Sequence, residues 1–320
     1  MDEPWTAVEV CAGAGGQALG LEQAGFVPLA LVERDASCCA TLRLNRPAWP
    51  VIEGDLRDFD GRPFRGADLF AGGLPCPPFS IAGRQLGERD ERNLFPQAFR
   101  LVAEIRPRAV MIENVKGLMG PAFHGYRRSL DQEFARLGFE TFWHLLNACD
   151  FGVPQLRPRV VIVALRRDLA PIYEPPEPSL HAPPSVGETL HPLMSSSGWK
   201  AASAWRKRAA GIAPTIVGGS HKHGGPDLGP TRAKRAWAQM GVDGHGLADT
   251  PPAPEFEGNP RLTVPMVARL QGFPEDWQIA GRKTAAYRQV GNAFPPPVAR
   301  AVGVQIARCL SAAAVVEQSA

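Results

Sequence analysis

Seven short apolar runs, separated by helix-patterned stretches, dominate the first 170 residues and leave few folds open. The runs are Ala7–Val10, Leu29–Glu33, Val51–Glu53, Asp68–Ala71, Ala109–Glu113, Thr141–Asn147 and Val160–Leu165. Several are β-branched and continuous, the pattern of strands covered on both faces. Between them Gln17–Ala24, Ser37–Asn45, Leu94–Ile105 and Tyr126–Leu137 carry helical periodicity. This alternation predicts an α/β fold built on a doubly wound sheet. In such a sheet ligands gather at the carboxyl ends of the strands, and the unusual residues of this chain fall there.

The pattern changes near residue 170. Residues 171–192 hold seven prolines, and 198–258 are rich in Gly, His, Trp and Arg with weak periodicity. Apolar periodicity returns at Val264–Leu270 and Val298–Leu310. The expected organisation is a first domain over 1–171, a smaller irregular domain inserted at 172–258, and a segment, 259–320, that returns to the first domain. A chain of 320 residues with 44% apolar content can bury a sizeable core. A net charge of +3 permits a nucleic-acid partner without requiring one. The six cysteines (11, 38, 39, 76, 149, 309) form no CxxC pair. They read as free thiols of a reducing compartment, not as a disulfide framework or a zinc site. No apolar run reaches the ~20 residues of a membrane span, and MDEPW does not open a signal peptide, so a soluble cytoplasmic protein is expected.

Three strand ends suit a nucleoside. The first runs into CAGAGG (11–16), where Gly13, Gly15 and Gly16 let the backbone turn and approach a ligand just before a helix. A plain structural turn is the alternative. Glu33 ends the second strand about 20 residues on, where a carboxylate binds ribose hydroxyls. Asp55 follows the third, placed to accept from an adenine amino group. The loop does not match GxGxxG cleanly, which favours a mononucleoside over a nicotinamide dinucleotide.

Beyond the fourth strand, LPCPPFSIAGR (74–84) sets Cys76 between Pro75 and Pro77-Pro78. Prolines fix φ and stiffen the loop, and a thiolate is a strong nucleophile. The alternative, a buried inert cysteine, is preferred for Cys38, Cys39, Cys149 and Cys309. Glu113 ends the fifth strand. It reads either as a capping or salt-bridged carboxylate, or as an acid whose pKa partial burial raises so that it can protonate a substrate nitrogen. In QLRPR (155–159), Arg157 and Arg159 share one face of an extended segment. They could clamp a carboxylate, a phosphate or a polar base edge and lower a neighbouring thiol pKa, or line a solvated edge strand.

Taken together these segments resemble the bacterial DNA (cytosine-5) methyltransferases over about 5–168 and 261–305. CAGAGG resembles the first motif, which binds S-adenosyl-L-methionine. PCPPFS resembles the Pro-Cys motif, ENV (113–115) the motif of the catalytic acid, and QLRPR the QxRxR motif. DERNLF (90–95), RLTVPMVARLQGFP (261–274) and YRQVGNAFPPPVA (287–299) resemble further motifs in the same order. The chain departs from the family where Glu9-Val10-Cys11 replaces Asp-Leu-Phe, where Arg34 follows Glu33, and where Pro265-Met266 replace a frequent Arg-Glu.

The resemblance implies a Rossmann-like methyltransferase sheet with Cys76 as nucleophile, Glu113 as acid, and Arg157 and Arg159 in the catalytic set, Arg157 as loop support. It implies a cofactor site made by Cys11, Ala12, Gly13, Gly15, Gly16, Glu33, Arg34, Asp55, Leu56, Pro75, Leu94, Asn292 and Ala293. The partner is then double-stranded DNA with a flipped cytosine, and 172–258 becomes a target-recognition domain. Ser80, Gln155, Arg206, Lys207, Arg208, His221, Lys222, Arg232, Lys234 and Arg235 are the chain's candidate DNA contacts, all but the first two within that domain. WRKR (205–208) reads equally as a solvated helix face, and GGSHKHGG (218–225) as a metal tract, although no acidic or Cys ligands flank it and no metal is expected. A monomer near the nucleoid, with a cognate restriction endonuclease, completes the expectation. An RNA methyltransferase with the same core, a silent DNA-binding module and a nicotinamide oxidoreductase are the competing readings.

Overall fold

The computed structural model describes residues 4–75, 93–219 and 225–318. Its centre is one seven-stranded sheet of order β3-β2-β1-β4-β5-β7-β6. The strands are β1 (Trp5–Val10), β2 (Phe26–Glu33), β3 (Val51–Glu53), β4 (Leu69–Gly73), β5 (Ala109–Val115), β6 (Phe139–Asn147) and β7 (Pro158–Arg166). All seven apolar runs became strands. β1 to β5 are parallel, while β7 runs antiparallel to both β5 and β6.

Side chains of β1, β4, β5 and β7 alternate between two apolar layers, as a period of two requires. Val8, Val10, Phe70, Val110, Ile112 and Ile162 pack with α3 (Phe95–Ile105) and α4 (His124–Arg136). Ala7, Leu69, Ala71, Met111, Val161 and Val163 pack with α1 (Gly16–Gln23) and α10 (Pro296–Gln318). α3 shows why these helices form. Its apolar residues 95, 98, 101, 102 and 105 make one buried stripe, and Arg106 ends it in the left-handed region at φ 55°. α2 (Ala36–Asn45) is capped by Asp35, whose carboxylate accepts from the Ser37 amide at 2.9 Å.

Among its described residues, the segment expected to be irregular holds three α-helices: α5 (Val186–Ser195), α6 (Ala202–Arg208) and α7 (Thr231–Gln239). Ser185 and Glu188 form a capping box that starts α5. Residues 240–263 carry no helix or strand. Buried Trp199, Trp205 and Trp237 join one apolar cluster with α8 (Val264–Leu270), α9 (Lys283–Asn292), Leu31, Leu42 and Trp49. The inserted segment therefore shares its core with the sheet domain. Among the described residues no helix is long and apolar enough to cross a membrane.

Candidate active site

The loop after β1 is built on positive backbone angles: φ is 54° at Cys11, 54° at Gly13 and 83° at Gly15, which precedes α1. Gly16 has no room for a side chain, since a Cβ there would lie 2.1 Å from the Phe294 carbonyl oxygen. Glu33, at the end of the neighbouring strand, holds the loop in place. Its Oε2 accepts from the Gly13 amide at 2.8 Å, and its Oε1 accepts from the Arg34 and Asp35 amides at 2.8 Å each. A carboxylate offers about four lone-pair sites, so capacity remains for one further donor such as a sugar hydroxyl.

Asp55 accepts from the Arg57 amide at 3.0 Å and pairs with the Arg57 guanidinium at 3.3 Å. Arg34 is exposed and lies 3.8 Å from the same carboxylate. Cys11, Leu56 and Leu94 belong to one apolar cluster. Burial, followed by the charge of Glu33, pushes the Cys11 thiol up, so it stays neutral and lines the wall. Arg100, which sequence reasoning missed, donates to the Leu56 and Phe59 carbonyls at 3.0 Å each and so fixes the 55–59 turn.

Two strands from β1 lies a second wall. Glu113 is buried at the end of β5, and Arg159 Nε meets its Oε1 at 2.8 Å. Burial pushes the Glu113 carboxyl up, and the charges of Arg159 and Arg157 offset only part of the shift. Gly73 ends β4 between this pair and the glycine loop. A Cβ on it would stand 3.5 Å from Glu113 Oε2 and 3.8 Å from the Cys11 carbonyl oxygen. Leu74 and Pro75 follow, leading into the segment that carries Cys76. Asn114, fully buried and also missed, donates to the Leu74 carbonyl at 3.4 Å. Its signal was its place beside Glu113 at a strand end. Cys76 and Ser80 lie outside the described residues, as do His221 and Lys222.

Arg157, expected as loop support, and three residues expected at DNA are placed as follows. Arg157 is fully buried and donates to the carbonyls of Ile216 at 2.6 Å and of Gly291 and Ala293 at 2.9 Å. It braces the loops. Gln155, expected at DNA, is inside: it donates to Gln271 Oε1 at 2.6 Å and accepts from the Ile216 amide at 2.9 Å. Arg208 is occupied with the C-terminal carbonyls of α7, Ala238 at 2.8 Å and Gln239 at 3.3 Å. Lys234 pairs with Asp227 at 2.8 Å. Arg206, Lys207, Arg232 and Arg235 are exposed. Asn292 is exposed and donates to the Gly219 carbonyl at 3.3 Å, while Ala293 is buried.

Comparison with known proteins gives a consistent picture. The family model for C-5 cytosine-specific DNA methylase matches residues 5–308. The type II methyltransferase M.NaeI of Lentzea aerocolonigenes is 55% identical over 310 residues, covering 95% of this chain and 75% of that one. M.NgoMIV of Neisseria gonorrhoeae, also a type II methyltransferase, is 53% identical over 309 residues, covering 96% and 98%. Among solved structures, a putative DNA modification methyltransferase encoded within a prophage (E. coli) superposes with a TM-score of 0.69 at 20% identity, covering 96% of this chain and 99% of that one. A DNMT2 of Spodoptera frugiperda gives 0.66 at 17% identity, covering 94% and 99%. These two support the fold alone.

Proposed function

Because this chain belongs to the C-5 cytosine-specific DNA methylase family, we propose that it methylates carbon 5 of a cytosine flipped out of a specific duplex sequence, as the modification half of a type II restriction–modification system. The observation that carries the reading is the buried Glu113–Arg159 pair facing Gly73, one step from the Pro75-Cys76 loop. Identity that runs along nearly the whole chain to relatives named type II methyltransferases supports a DNA substrate over RNA.

The glycine loop suits S-adenosyl-L-methionine. Backbone amides at the start of α1 favour a carboxylate. Glu33 has capacity for a ribose hydroxyl, Asp55 lies at the next strand end, and Cys11, Leu56 and Leu94 give an apolar wall. Bound there, the cofactor supplies an electrophilic methyl group on a sulfonium.

Carbon 5 of cytosine is a poor nucleophile. The Cys76 thiolate adds to carbon 6 and forms a C–S bond, which moves electron density to carbon 5. Glu113 donates its proton to ring nitrogen 3 and so disperses the negative charge. Burial raises its pKa, which favours the protonated acid. Arg159 is placed to hold the base carbonyl while orienting Glu113. After methylation at carbon 5, water takes the carbon 5 proton, Cys76 leaves as a thiolate and nitrogen 3 returns its proton to Glu113, which restores the aromatic ring.

Incubation with methyl-labelled S-adenosyl-L-methionine and either duplex DNA or transfer RNA tests the substrate. Label is expected in DNA, and transfer to RNA alone would sink the proposal. Cys76→Ser is expected to abolish transfer while cofactor affinity is kept. Glu113→Gln is expected to lower kcat by about 10²–10⁴. Mapping methylated cytosines in DNA from expressing cells would give the site.

A further inference from the structure

The glycine loop is braced from behind by a residue 263 positions later in the chain: the Trp277 indole N–H donates to the Ala14 carbonyl at 3.1 Å. The same peptide unit is held at its other end, since the Gly15 amide donates to the Ala12 carbonyl at 3.0 Å. A trans peptide is a rigid plane. With its C=O on Trp277 and its N–H on Ala12, the Ala14–Gly15 plane cannot flip without breaking both bonds. The ring also presses on the loop directly. A Cβ on Gly15 would lie 2.7 Å from Leu42 Cδ2 and 3.0 Å from Trp277 Cζ2.

The indole is itself immobilised. It stacks on Phe273 with centroids 5.8 Å apart and packs against Trp49 at 6.0 Å. The Arg46 guanidinium lies 5.3 Å from its ring centroid and 5.8 Å from that of Trp49. Glu22, on α1, fixes Arg46 at 3.0 Å and accepts from the Trp49 indole at 3.1 Å. One residue on, Asn45 exchanges two hydrogen bonds with the Gln278 backbone, at 2.7 and 2.8 Å. Trp277 is thus a fixed post between α2 and the loop.

We propose that Trp277 is a positioning residue for the cofactor loop. It holds the loop amides in the bound conformation before ligand arrives, so the ordering cost is met on folding rather than on binding. The inference rests on assigning the loop to S-adenosyl-L-methionine.

Calorimetry with S-adenosyl-L-methionine tests it in the full-length chain. Trp277→Phe keeps the ring and removes the donor. Its Kd is expected to rise about threefold to tenfold, the scale of one net hydrogen bond, with saturated kcat within about twofold. Trp143→Phe is the control. It loses a comparable bond, indole to Asp131 at 2.8 Å, on β6 and away from the loop. Its Kd is expected to stay within about twofold. An unchanged Kd for Trp277→Phe, or an equal rise for Trp143→Phe, overturns the inference. If Trp277→Phe melts below the assay temperature, Arg46→Met removes the cation over the indole and leaves the donor; a Kd rise of about twofold or more is expected, and no rise overturns the inference. A wild-type chain that binds no S-adenosyl-L-methionine overturns the cofactor assignment itself, and is told apart by that.

Discussion

Taking a guanidinium and a carboxylate out of water costs several kcal/mol per ion, and removing one partner of a buried pair leaves the other uncompensated. Glu113 and Arg159 are such a pair, with side chains 8% and 13% exposed. The sign of the pH effect follows. Glu113 sits above its unfolded value of about 4.3, so its contribution to stability is full below that pH and is lost as pH rises through the folded value. Arg159→Met removes the charge that limits the shift, so the folded value rises further and more stability is lost on the alkaline side. Thermal unfolding should show Arg159→Met close to wild type near pH 4.5 and destabilised by about 3–5 kcal/mol near pH 8. A pH-independent difference would count against the pair. Glu113 and Arg159 were legible because charges on apolar strand ends need a reason. The inward place of Gln155 was not: residue spacing tells which side chains share a face, and does not tell whether that face looks inward.

At the scale of elements, α1 and α10 approach so closely that glycine is required between them. A Cβ on Gly20 would lie 2.4 Å from the Pro296 carbonyl oxygen, 2.5 Å from Ala299 Cβ and 2.7 Å from the Arg300 amide. Two of these are backbone atoms, which cannot rotate away. Helix propensity alone favours Ala over Gly by about 1 kcal/mol, whereas overpacking costs about 1–3 kcal/mol. Gly20→Ala should therefore lower the denaturation midpoint, and an unchanged or higher midpoint would show that the helices can part. The strands were readable because buried parallel strands need continuous apolar runs. The antiparallel turn of β7 was also available: β6 ends at Asn147 and β7 starts at Pro158, too short a link for a parallel crossover of a dozen or more residues. α6 and α7 escaped because each buries only one or two side chains, Ala202 and Trp205 on α6 and Trp237 on α7, too few to show an apolar stripe.

For the whole molecule, a net charge of +3 gives little bulk attraction to DNA, so binding depends on where the available cations lie. Residues 172–258 hold more cations than sequence could choose among, and the structure divides them. Arg208 caps α7 through Ala238 and Gln239, and Lys234 pairs with Asp227. Arg232 and Arg235 stand exposed three residues apart on α7, hence on neighbouring positions of one helix face. That helix follows Gly229, whose Cβ position is 3.7 Å from Val217 Cγ2. Val217 adjoins Ile216, the carbonyl that Arg157 holds beside the Arg159 strand. The start of α7 is thereby linked, through Gly229, Val217 and Ile216, to Arg157, two residues before Arg159. Removing one cation from a phosphate should lower the slope of log K against log salt by about 0.9. Arg232→Ala and Arg235→Ala are expected to reduce that slope by about one each with little change in melting temperature. Arg208→Ala is expected to do the reverse, lowering the melting temperature and leaving the slope of the folded protein unchanged. Filter binding of duplex DNA across a salt series distinguishes the two, and a slope unaffected by either α7 substitution would move the DNA track away from this helix.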